Sequence, residues 1–163
     1  MNIGEEIQQK AFANELNKMV INIVFTANWL TLRLAQSLKH YDITPEQYNV
    51  LRILRGQKGN PATINMITER MLDKNSNASR LVDKLKQKGF VERRECPKDR
   101  RACDVLLTEK GTQLLLELDK EMSNNEKSIT ALSEEEMKTV NELLDKFRTL
   151  VKENESVNFQ NKL

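Results

Sequence analysis

The sequence predicts a mainly α-helical protein with one small β-hairpin, and three features of its 163 residues indicate that class. Gly, Pro and aromatic residues are scarce, whereas the helix-forming residues Leu, Glu and Lys are frequent. Several long segments place apolar residues three or four positions apart, which is the spacing of one face of a helix. One stretch, 90–108, instead contains two short runs that are typical of paired strands.

The first forty residues are expected to be helical. One apolar stripe consists of Phe12, Leu16, Met19 and Ile23. A second stripe consists of Val24, Ala27, Leu30, Leu34 and Leu38. A helix that is apolar on several sides must be covered by more than one layer, and in a small protein the second layer is often another subunit.

Two shorter helices are predicted next, and each has a start signal. Thr44 is placed as N-cap, Pro45 occupies the first helical position, and Gln47 can complete a capping box. The segment 56–61, which contains Gly and Pro, then breaks the helix. Thr63 caps the second of these helices, which is short.

A further helix follows, with Asp73 as its predicted N-cap and Gly89 at the position of a left-handed C-cap. Its apolar stripe consists of Ala78, Leu81, Val82 and Leu85. The opposite side holds polar and charged groups, namely Ser76, Arg80, Asp83, Lys84 and Gln87. Groups of this kind read base edges and hold phosphates. The simpler alternative is the solvated face of a core helix.

A hairpin and two long helices complete the chain. Phe90–Glu95 and Cys103–Thr108 are predicted as strands, joined by a turn at Pro97–Arg101. Thr108 caps a long helix, and Ser133 begins a capping box for the last one. The whole order of elements is that of a winged helix-turn-helix with helical extensions.

Charge is divided unevenly along the chain, although the net charge is +2. Ten Lys and Arg residues stand against four acidic residues from Lys74 to Arg101, a local charge of +6. From Glu117 to Leu163, seven Lys and Arg residues stand against eleven acidic residues, which gives a local charge of −4. A basic middle and an acidic tail suit a protein that binds a polyanion with one part only.

Several other classes of protein are not expected. No apolar run approaches the ~18 residues of a membrane span, and the polar segment Met1–Lys10 does not resemble a secretory signal. Two cysteines are too few for a disulfide scaffold, so free thiols in a reducing cytoplasm are expected. Because no nucleophile–base arrangement, phosphate loop or cluster of metal ligands is apparent, the sequence predicts no enzyme, no cofactor and no metal site.

The segment SNASRLVDKLKQKGFVERRECPKDRRACDVLLTEKG resembles the MarR family of bacterial transcription regulators. The likeness lies in the helix run SRLVDKL, in KGFVERR, and in a D-x-R-x-x-x-V-x-L-T pattern formed by Asp99, Arg101, Val105, Leu107 and Thr108. A looser likeness extends from about Asn17 to Val151 and includes ITPEQYNVLRIL. The resemblance implies a dimerisation region made of 1–40 and 111–163, with a winged-helix DNA-binding domain at 41–110 between them.

Double-stranded DNA is the partner that the resemblance implies, bound by a homodimer at a near-palindromic operator. The recognition helix would enter the major groove and the wing the minor groove, with Arg101 in that groove and Asp99 setting its direction. A repressor released by a small aromatic or anionic effector is expected. Two alternatives stay open: a winged-helix module that binds proteins, and a redox-responsive regulator that uses Cys96 and Cys103 of the wing.

The predicted site residues form three sets. Contacts to DNA are assigned to Asn75, Ser76, Asn77, Ser79, Arg80, Lys84, Lys98, Arg100 and Arg101. Asp83 would repel phosphate and is expected to orient Arg80 or a wing residue. The resemblance implies a dimer interface that contains Phe12, Leu16, Met19, Phe147, Leu150 and Val151. It also implies an effector pocket, for which six residues are candidates, namely Trp29, Arg33, His40, Tyr41, Tyr48 and Arg52. The simpler alternative, favoured for each residue taken alone, is that Trp29 and Tyr48 belong to the core and that His40 caps a helix end.

Overall fold

Helices surround one small antiparallel sheet, as a computed structural model of the chain shows. The structure describes residues 2–95 and 103–160, and it describes their side chains except at 95, 103, 124–129 and 150–160. In chain order the elements are α1 (Ile3–Glu6), α2 (Glu15–Leu38), a 3-10 helix (Lys39–Tyr41), α3 (Pro45–Arg55), β1 (Ala62–Thr63), α4 (Ile64–Arg70), α5 (Ala78–Gln87), β2 (Val91–Glu95), β3 (Cys103–Leu107), α6 (Glu109–Ile129) and α7 (Glu134–Gln160).

The mainly helical class with a hairpin is therefore confirmed. The chain divides into two compact units, Met1–Leu118 and Asp119–Leu163, and α6 crosses the boundary between them. The first unit contains the whole sheet and the helices α1 to α5. The three-part division into 1–40, 41–110 and 111–163, which concerns dimerisation and DNA binding, stays a prediction.

The expectation that the first forty residues form helix throughout is wrong, because the helix is interrupted between α1 and α2. Gln8 has a φ of +55°, which is outside the helical region. Asn14 then starts α2 afresh, since its side-chain oxygen accepts a hydrogen bond from the Asn17 N–H at 2.8 Å. Asn favours such caps because its short side chain bonds to nearby backbone and competes with the helix ladder.

The predicted capping box of α3 is confirmed. Thr44 Oγ1 accepts a hydrogen bond from the Gln47 N–H at 3.3 Å, and Gln47 Oε1 accepts one from the Thr44 N–H at 3.1 Å. Pro45 is the first helical residue, as expected. The starts of α4, α6 and α7 were also predicted correctly, at Thr63, Thr108 and Ser133.

The sheet contains a strand that the sequence did not reveal. Its order is β1-β3-β2, all antiparallel, and Ala62 in β1 pairs with Val105 in β3. A strand of two residues is too short for an alternating pattern to be recognised. In the β2–β3 hairpin, Val91 pairs with Leu107 and Arg93 pairs with Val105, so these four side chains share one face.

The core lies under this face of the sheet. Its largest fully buried side chains are Leu38, Leu51, Ile67, Leu85, Leu115, Leu118, Val50, Val82 and Val105. Gly111, in the first turn of α6, approaches the start of the hairpin so closely that an added Cβ would lie 2.2 Å from the Phe90 carbonyl oxygen. A glycine is therefore required where α6 leaves the sheet. The core holds α5 by one face and leaves its other face outward.

Candidate nucleic-acid interface

Helix α5 is the candidate recognition helix, and it begins later than the sequence predicts. Asn77 is its N-cap, because the side-chain oxygen accepts a hydrogen bond from the Arg80 N–H at 3.0 Å. Asp73, the predicted cap, instead accepts from the Asn75 N–H at 2.9 Å and from the Ser76 hydroxyl at 3.0 Å. Its short side chain satisfies the nearest donors and closes a turn before the helix. Asn75, Ser76 and Asn77 therefore precede α5.

Helix α5 separates an apolar face from a polar one. Ala78, Val82 and Leu85 are buried, whereas Leu81 of the predicted stripe is only half-buried. Ser79 is also half-buried. The exposed side chains are Arg80, Asp83, Lys84, Lys86 and Gln87. Three of these five are cations, so the outward face is basic.

A shallow groove of about 300 Å³ lies between the start of α3 and the exposed face of α5. Its walls are Thr44, Glu46, Ser76, Asn77, Arg80, Leu81 and Lys84. Four residues predicted to contact DNA therefore share one surface. At the start of α3, Pro45 has no N–H, and the capping box uses the N–H groups of Thr44 and Gln47. Glu46 adds a negative charge that the sequence interpretation did not consider.

The C-terminal end of α5 is held by two lysines. Lys88 Nζ lies 3.0 Å from an Asp42 carboxylate oxygen and also donates to the Asp42 carbonyl. Lys110 Nζ donates to the Lys88 carbonyl at 2.8 Å and lies 4.9 Å from the centre of the Phe90 ring. Gly89 has a φ of +76°, which confirms the predicted left-handed C-cap. The end of α5 is therefore tied to the segment before α3 and to α6.

An ion pair joins α5 to the hairpin. Arg93 Nη1 of β2 hydrogen-bonds to Asp83 Oδ1 of α5. The Arg93 side chain is 22% exposed and that of Asp83 is 52% exposed. Of the two expected roles for Asp83, orientation of Arg80 or of a wing residue, the structure supports the second, because β2 leads into the wing.

The tip of the predicted wing lies outside the described residues. Lys98, Arg100 and Arg101, with Asp99 as the orienting carboxylate, all fall within 96–102. Cys96 falls there too, and the side chain of Cys103 is likewise outside the description. The minor-groove role and the redox alternative therefore stay predictions.

The residues predicted for the dimer interface differ in exposure. On α2, Leu16 is 60% exposed and Met19 is 39% exposed. Phe12, before α2, is half-buried, and the Lys18 ammonium lies 5.9 Å from the centre of its ring. Phe147 of α7 is also half-buried. The other two, Leu150 and Val151, lie in helical backbone whose side chains are outside the description.

The six residues predicted for an effector pocket lie in pairs on three elements, α2, the 3-10 helix and α3. On α2 the Arg33 guanidinium lies 5.0 Å from the centre of the Trp29 ring, and both side chains are exposed. On α3 the Arg52 guanidinium lies 5.8 Å from the centre of the Tyr48 ring, which is buried. The third pair is His40 and Tyr41.

A larger open groove, of about 570 Å³, lies beside these elements. Its described walls are Ala35, Lys39, Asp42, Ile43, Thr44, Pro45, Gln47, Lys84, Gln87 and Lys88. None of the six predicted effector residues belongs to these walls. Their assignment to a pocket therefore stays a prediction, and the groove that the structure shows is basic and not aromatic.

Within 2–95 and 103–160, no three His, Cys, Asp or Glu side chains come together in a way that could hold a metal ion. None of the described helices combines the length and the apolar character that crossing a bilayer requires.

Sequence interpretation missed the partner of Asp83, and a signal for it was available. In the strand VERRE, side chains alternate between the two faces, so Arg93 must share the buried face of Val91. A half-buried arginine needs an acceptor. The nearest candidate on the preceding helix is an acid on its flank, which is Asp83.

The three-stranded sheet, the helix α5 packed against it and the exposed basic face define a winged helix-turn-helix protein. A family model described as MarR family matches residues 41–102. The HTH-type transcriptional regulator MhqR of Bacillus subtilis (strain 168) is 30% identical over 105 residues, which is 64% of this chain and 71% of that relative. The chain belongs to the MarR family.

Two further proteins are similar to this chain. YkoM of Bacillus subtilis (strain 168), an HTH-type transcriptional regulator, is 34% identical over 79 residues; the match covers 47% of this chain and about half, 49%, of YkoM. The solved structure of a MarR mutant from E. coli complexed with operator DNA is 26% identical, with a TM-score of 0.73 over 85% of this chain and 99% of that chain. Membership in a family of transcriptional regulators supports the prediction that the chain is not an enzyme.

Proposed function

We propose that this chain is a sequence-specific DNA-binding transcription regulator that binds a near-palindromic operator as a homodimer. The observation that carries the proposal is the exposed face of α5, where Arg80 and Lys84 project from a helix whose other face is anchored in the core. The likeness to the E. coli MarR complexed with operator DNA supports DNA as the partner, and α5 is the element proposed to enter a major groove.

The side chains before and on α5 are proposed to make different contacts with DNA. The Arg80 guanidinium can donate two hydrogen bonds to guanine O6 and N7, which distinguishes this base from the others. Asn75, Ser76 and Ser79 supply further hydrogen-bonding groups to bases or phosphates, as does the amide nitrogen of Asn77, whose oxygen is occupied as a cap. Lys84, one turn further along, neutralises a phosphate.

The dimer supplies the spacing and the wing supplies a second groove. Two copies of α5 related by a two-fold axis would read successive major grooves about 34 Å apart. Lys98, Arg100 and Arg101 would follow the flanking minor groove, with Asp99 orienting Arg101. The exposed leucines and valines of α2 support the dimer, because isolated monomers seldom expose such a long apolar surface.

The regulator is proposed to act as a repressor that a small aromatic or anionic effector releases. The Arg33–Trp29 pair supports this part, because an exposed guanidinium beside an indole can hold an aromatic carboxylate. Trp29 is the single tryptophan of the chain, so its fluorescence reports directly on such binding. Titration with benzoate should change Trp29 emission and release bound operator over the same concentration range; a spectral change without release would contradict the regulatory role.

The DNA-binding proposal is tested with duplexes selected from a random pool by the full chain. Fluorescence anisotropy over a range of salt concentrations should give an affinity that falls steeply, by about 0.9 log units per log unit of salt for each phosphate neutralised. Arg80→Ala should weaken binding by about 1–3 kcal/mol and relax base preference at one position. Lys84→Ala should weaken binding to all sequences and reduce the salt slope by about one.

The matched control is Lys10→Ala, which removes one exposed positive charge between α1 and α2 and outside α5. Its affinity should equal that of the unsubstituted chain. If the pool yields no preferred duplex and the affinity for DNA does not depend on salt, the DNA proposal fails. That result would favour the alternative of a winged-helix module that binds proteins.

A further inference from the structure

We propose that Asp83 and Arg93 are positioning residues that fix the angle between α5 and the β2–β3 hairpin, and that DNA affinity depends on this pair although Asp83 itself repels phosphate. The proposal rests on the proposed DNA binding. It concerns two residues that touch each other, and neither is assigned a contact with DNA.

The first observation is where Arg93 lies. It is opposite Val105 in the sheet, and it shares a face with Val91 and Leu107. That face is turned to the core, where Val91 and Val105 are buried. The Arg93 side chain crosses from the sheet to α5 and ends on the Asp83 carboxylate. A charged group at this point can only be retained with a partner.

The second observation is that, among the described residues, the Asp83 carboxylate is the acceptor shown for Arg93. Its Nε atom is buried and has no hydrogen-bond acceptor among the described residues. The guanidinium therefore depends on the bond between Nη1 and Asp83. Loss of the carboxylate would leave a half-buried cation without this acceptor. Such a group moves towards water and displaces the strand that carries it.

The third observation is that the link between the two elements is short. Helix α5 ends at Gln87 and β2 begins at Val91, so three residues including Gly89 connect them. A left-handed glycine fixes the direction of the turn. The Asp83–Arg93 pair closes the open side of this corner, four residues before the end of the helix and two residues into the strand. Together the turn and the pair define one angle.

A neighbouring pair provides the comparison. Glu92 and Arg94 are also bonded, but they lie on the opposite face of β2 and, within the part of the chain that the structure describes, join no second element. Their side chains are 42% and 65% exposed. Solvent screens such a pair, and its loss has little effect on stability. Of the two acids, only Asp83 ties the hairpin to α5.

The sign of the effect separates positioning from simple electrostatics. Asp83 lies on the exposed flank of the helix proposed to enter the major groove, and its neighbours on that flank include Arg80 and Lys86. Removal of a negative charge there should strengthen attraction to a polyanion. If the pair sets the angle, the same removal should weaken binding, because α5 and the wing would no longer reach adjacent grooves together.

The experiment measures the affinity of full-length variants for the duplex selected with the unsubstituted chain. Asp83→Asn should raise the Kd by about fivefold or more, the equivalent of losing one charge-assisted contact, whereas Glu92→Gln should leave it unchanged or lower it. Arg93→Lys keeps the charge and loses the planar fork, and it should also weaken binding. Hydroxyl-radical footprints should show protection of deoxyribose lost at the minor-groove flank, whereas protection of guanine N7 from dimethyl sulfate in the major groove should be kept.

A measurement without DNA keeps the two proposals separate. Amide hydrogen exchange of the free protein should become faster at the β2–β3 ladder in Asp83→Asn and not in Glu92→Gln. If the unsubstituted chain binds no duplex, the DNA proposal fails, and the exchange result still decides whether the pair holds the hairpin. Equal or tighter DNA binding by both Asp83→Asn and Arg93→Lys, with unchanged exchange, overturns the positioning role.

Discussion

Helices α3 and α2 differ in how far their apolar side chains are buried within the chain. Helix α3 has 11 residues and buries five of them, Gln47, Tyr48, Val50, Leu51 and Leu54. Helix α2 has 24 residues and buries one, Leu38, at its last position. Leu16 and Leu32 of α2 are each 60% exposed, and Val24 is 54% exposed. Apolar periodicity therefore predicts which face of a helix is apolar, but it does not reveal whether that face is buried within the same chain.

Helix α7 resembles α2 in this respect. Among the side chains described there, Met137, Val140 and Leu143 are at least 40% exposed. The winged-helix elements thus have their core within one chain, whereas the two long flanking helices present apolar surface that a second copy could cover. Three experiments test this contrast between the winged-helix elements and the flanking helices.

The largest effect is expected for Leu16→Glu. If α2 packs across a two-fold axis, the substitution places two carboxylates and removes two apolar side chains at one interface. Burial of each leucine contributes about 1.5–3 kcal/mol, so the dimer dissociation constant should rise by about a hundredfold or more. Sedimentation equilibrium at micromolar concentration measures the change.

Leu72→Glu is the matched control, because Leu72 is 87% exposed and lies between α4 and α5, outside both flanking helices. The dimer dissociation constant of the Leu72→Glu variant should equal that of the unsubstituted chain. A monomeric unsubstituted chain at micromolar concentration would contradict the dimer itself, and equal association of all three proteins would show that Leu16 lies outside the interface.

The next largest effect is expected for Leu85→Ala. Leu85 is fully buried on the inner face of α5, and truncation leaves a cavity in the core. The free energy of unfolding should fall by about 2–5 kcal/mol, and this loss should not depend on protein concentration as the effect of Leu16→Glu does. Urea denaturation curves measured at two protein concentrations distinguish the loss of core packing from the loss of dimerisation. A decrease of less than 1 kcal/mol in the free energy of unfolding would show that neighbouring side chains move to fill the cavity.

Features with a local cause were predictable from the sequence. The capping box at Thr44 and Gln47, the left-handed Gly89 and the start of α6 at Thr108 each depend on a few neighbouring residues, and each was predicted correctly. The polar face of α5 follows from one apolar stripe in the same way. Most of the winged-helix region and the exposed part of its candidate site could therefore be predicted.

Features that depend on a choice between neighbours or on distant pairing could not be predicted as well. Asp73 and Asn77 are both good caps, and the structure selects Asn77 because the Asp73 carboxylate is already satisfied by Asn75 and Ser76. Strand β1 exists only because β3 lies beside it, more than forty residues later. The pair of Asp83 and Arg93 also joins two elements: alternation along β2 indicates that Arg93 shares the face of Val91 and needs an acceptor, but the geometry that brings Asp83 to it depends on packing.

The smallest effect concerns the start of α7, where little tertiary burial supports the helix. The pKa of Glu136 lies below its usual value of 4.5, because the backbone N–H of Ser133 and then the Ser133 hydroxyl hydrogen-bond to its carboxylate. The N–H bond is 2.7 Å long. A carboxyl with a lowered pKa in the folded state stabilises that state above its unfolded pKa, and the contribution is lost as the pH falls through the lowered value.

Glu136→Gln should therefore reduce amide protection in the first turn of α7 at pH 7, by about two- to fivefold as expected for a charge at a helix N-terminus. The difference between the two proteins should disappear at a pH below the lowered pKa, where Glu136 is protonated. Protection factors from NMR, corrected for intrinsic exchange at each pH, measure it. Glu135→Gln is the control, since the Ser133 N–H bonds to Glu136. A difference that persists unchanged in acid would mean that side-chain shape, and not charge, supports the cap; that would make α7 less dependent on its local electrostatics than its exposure suggests.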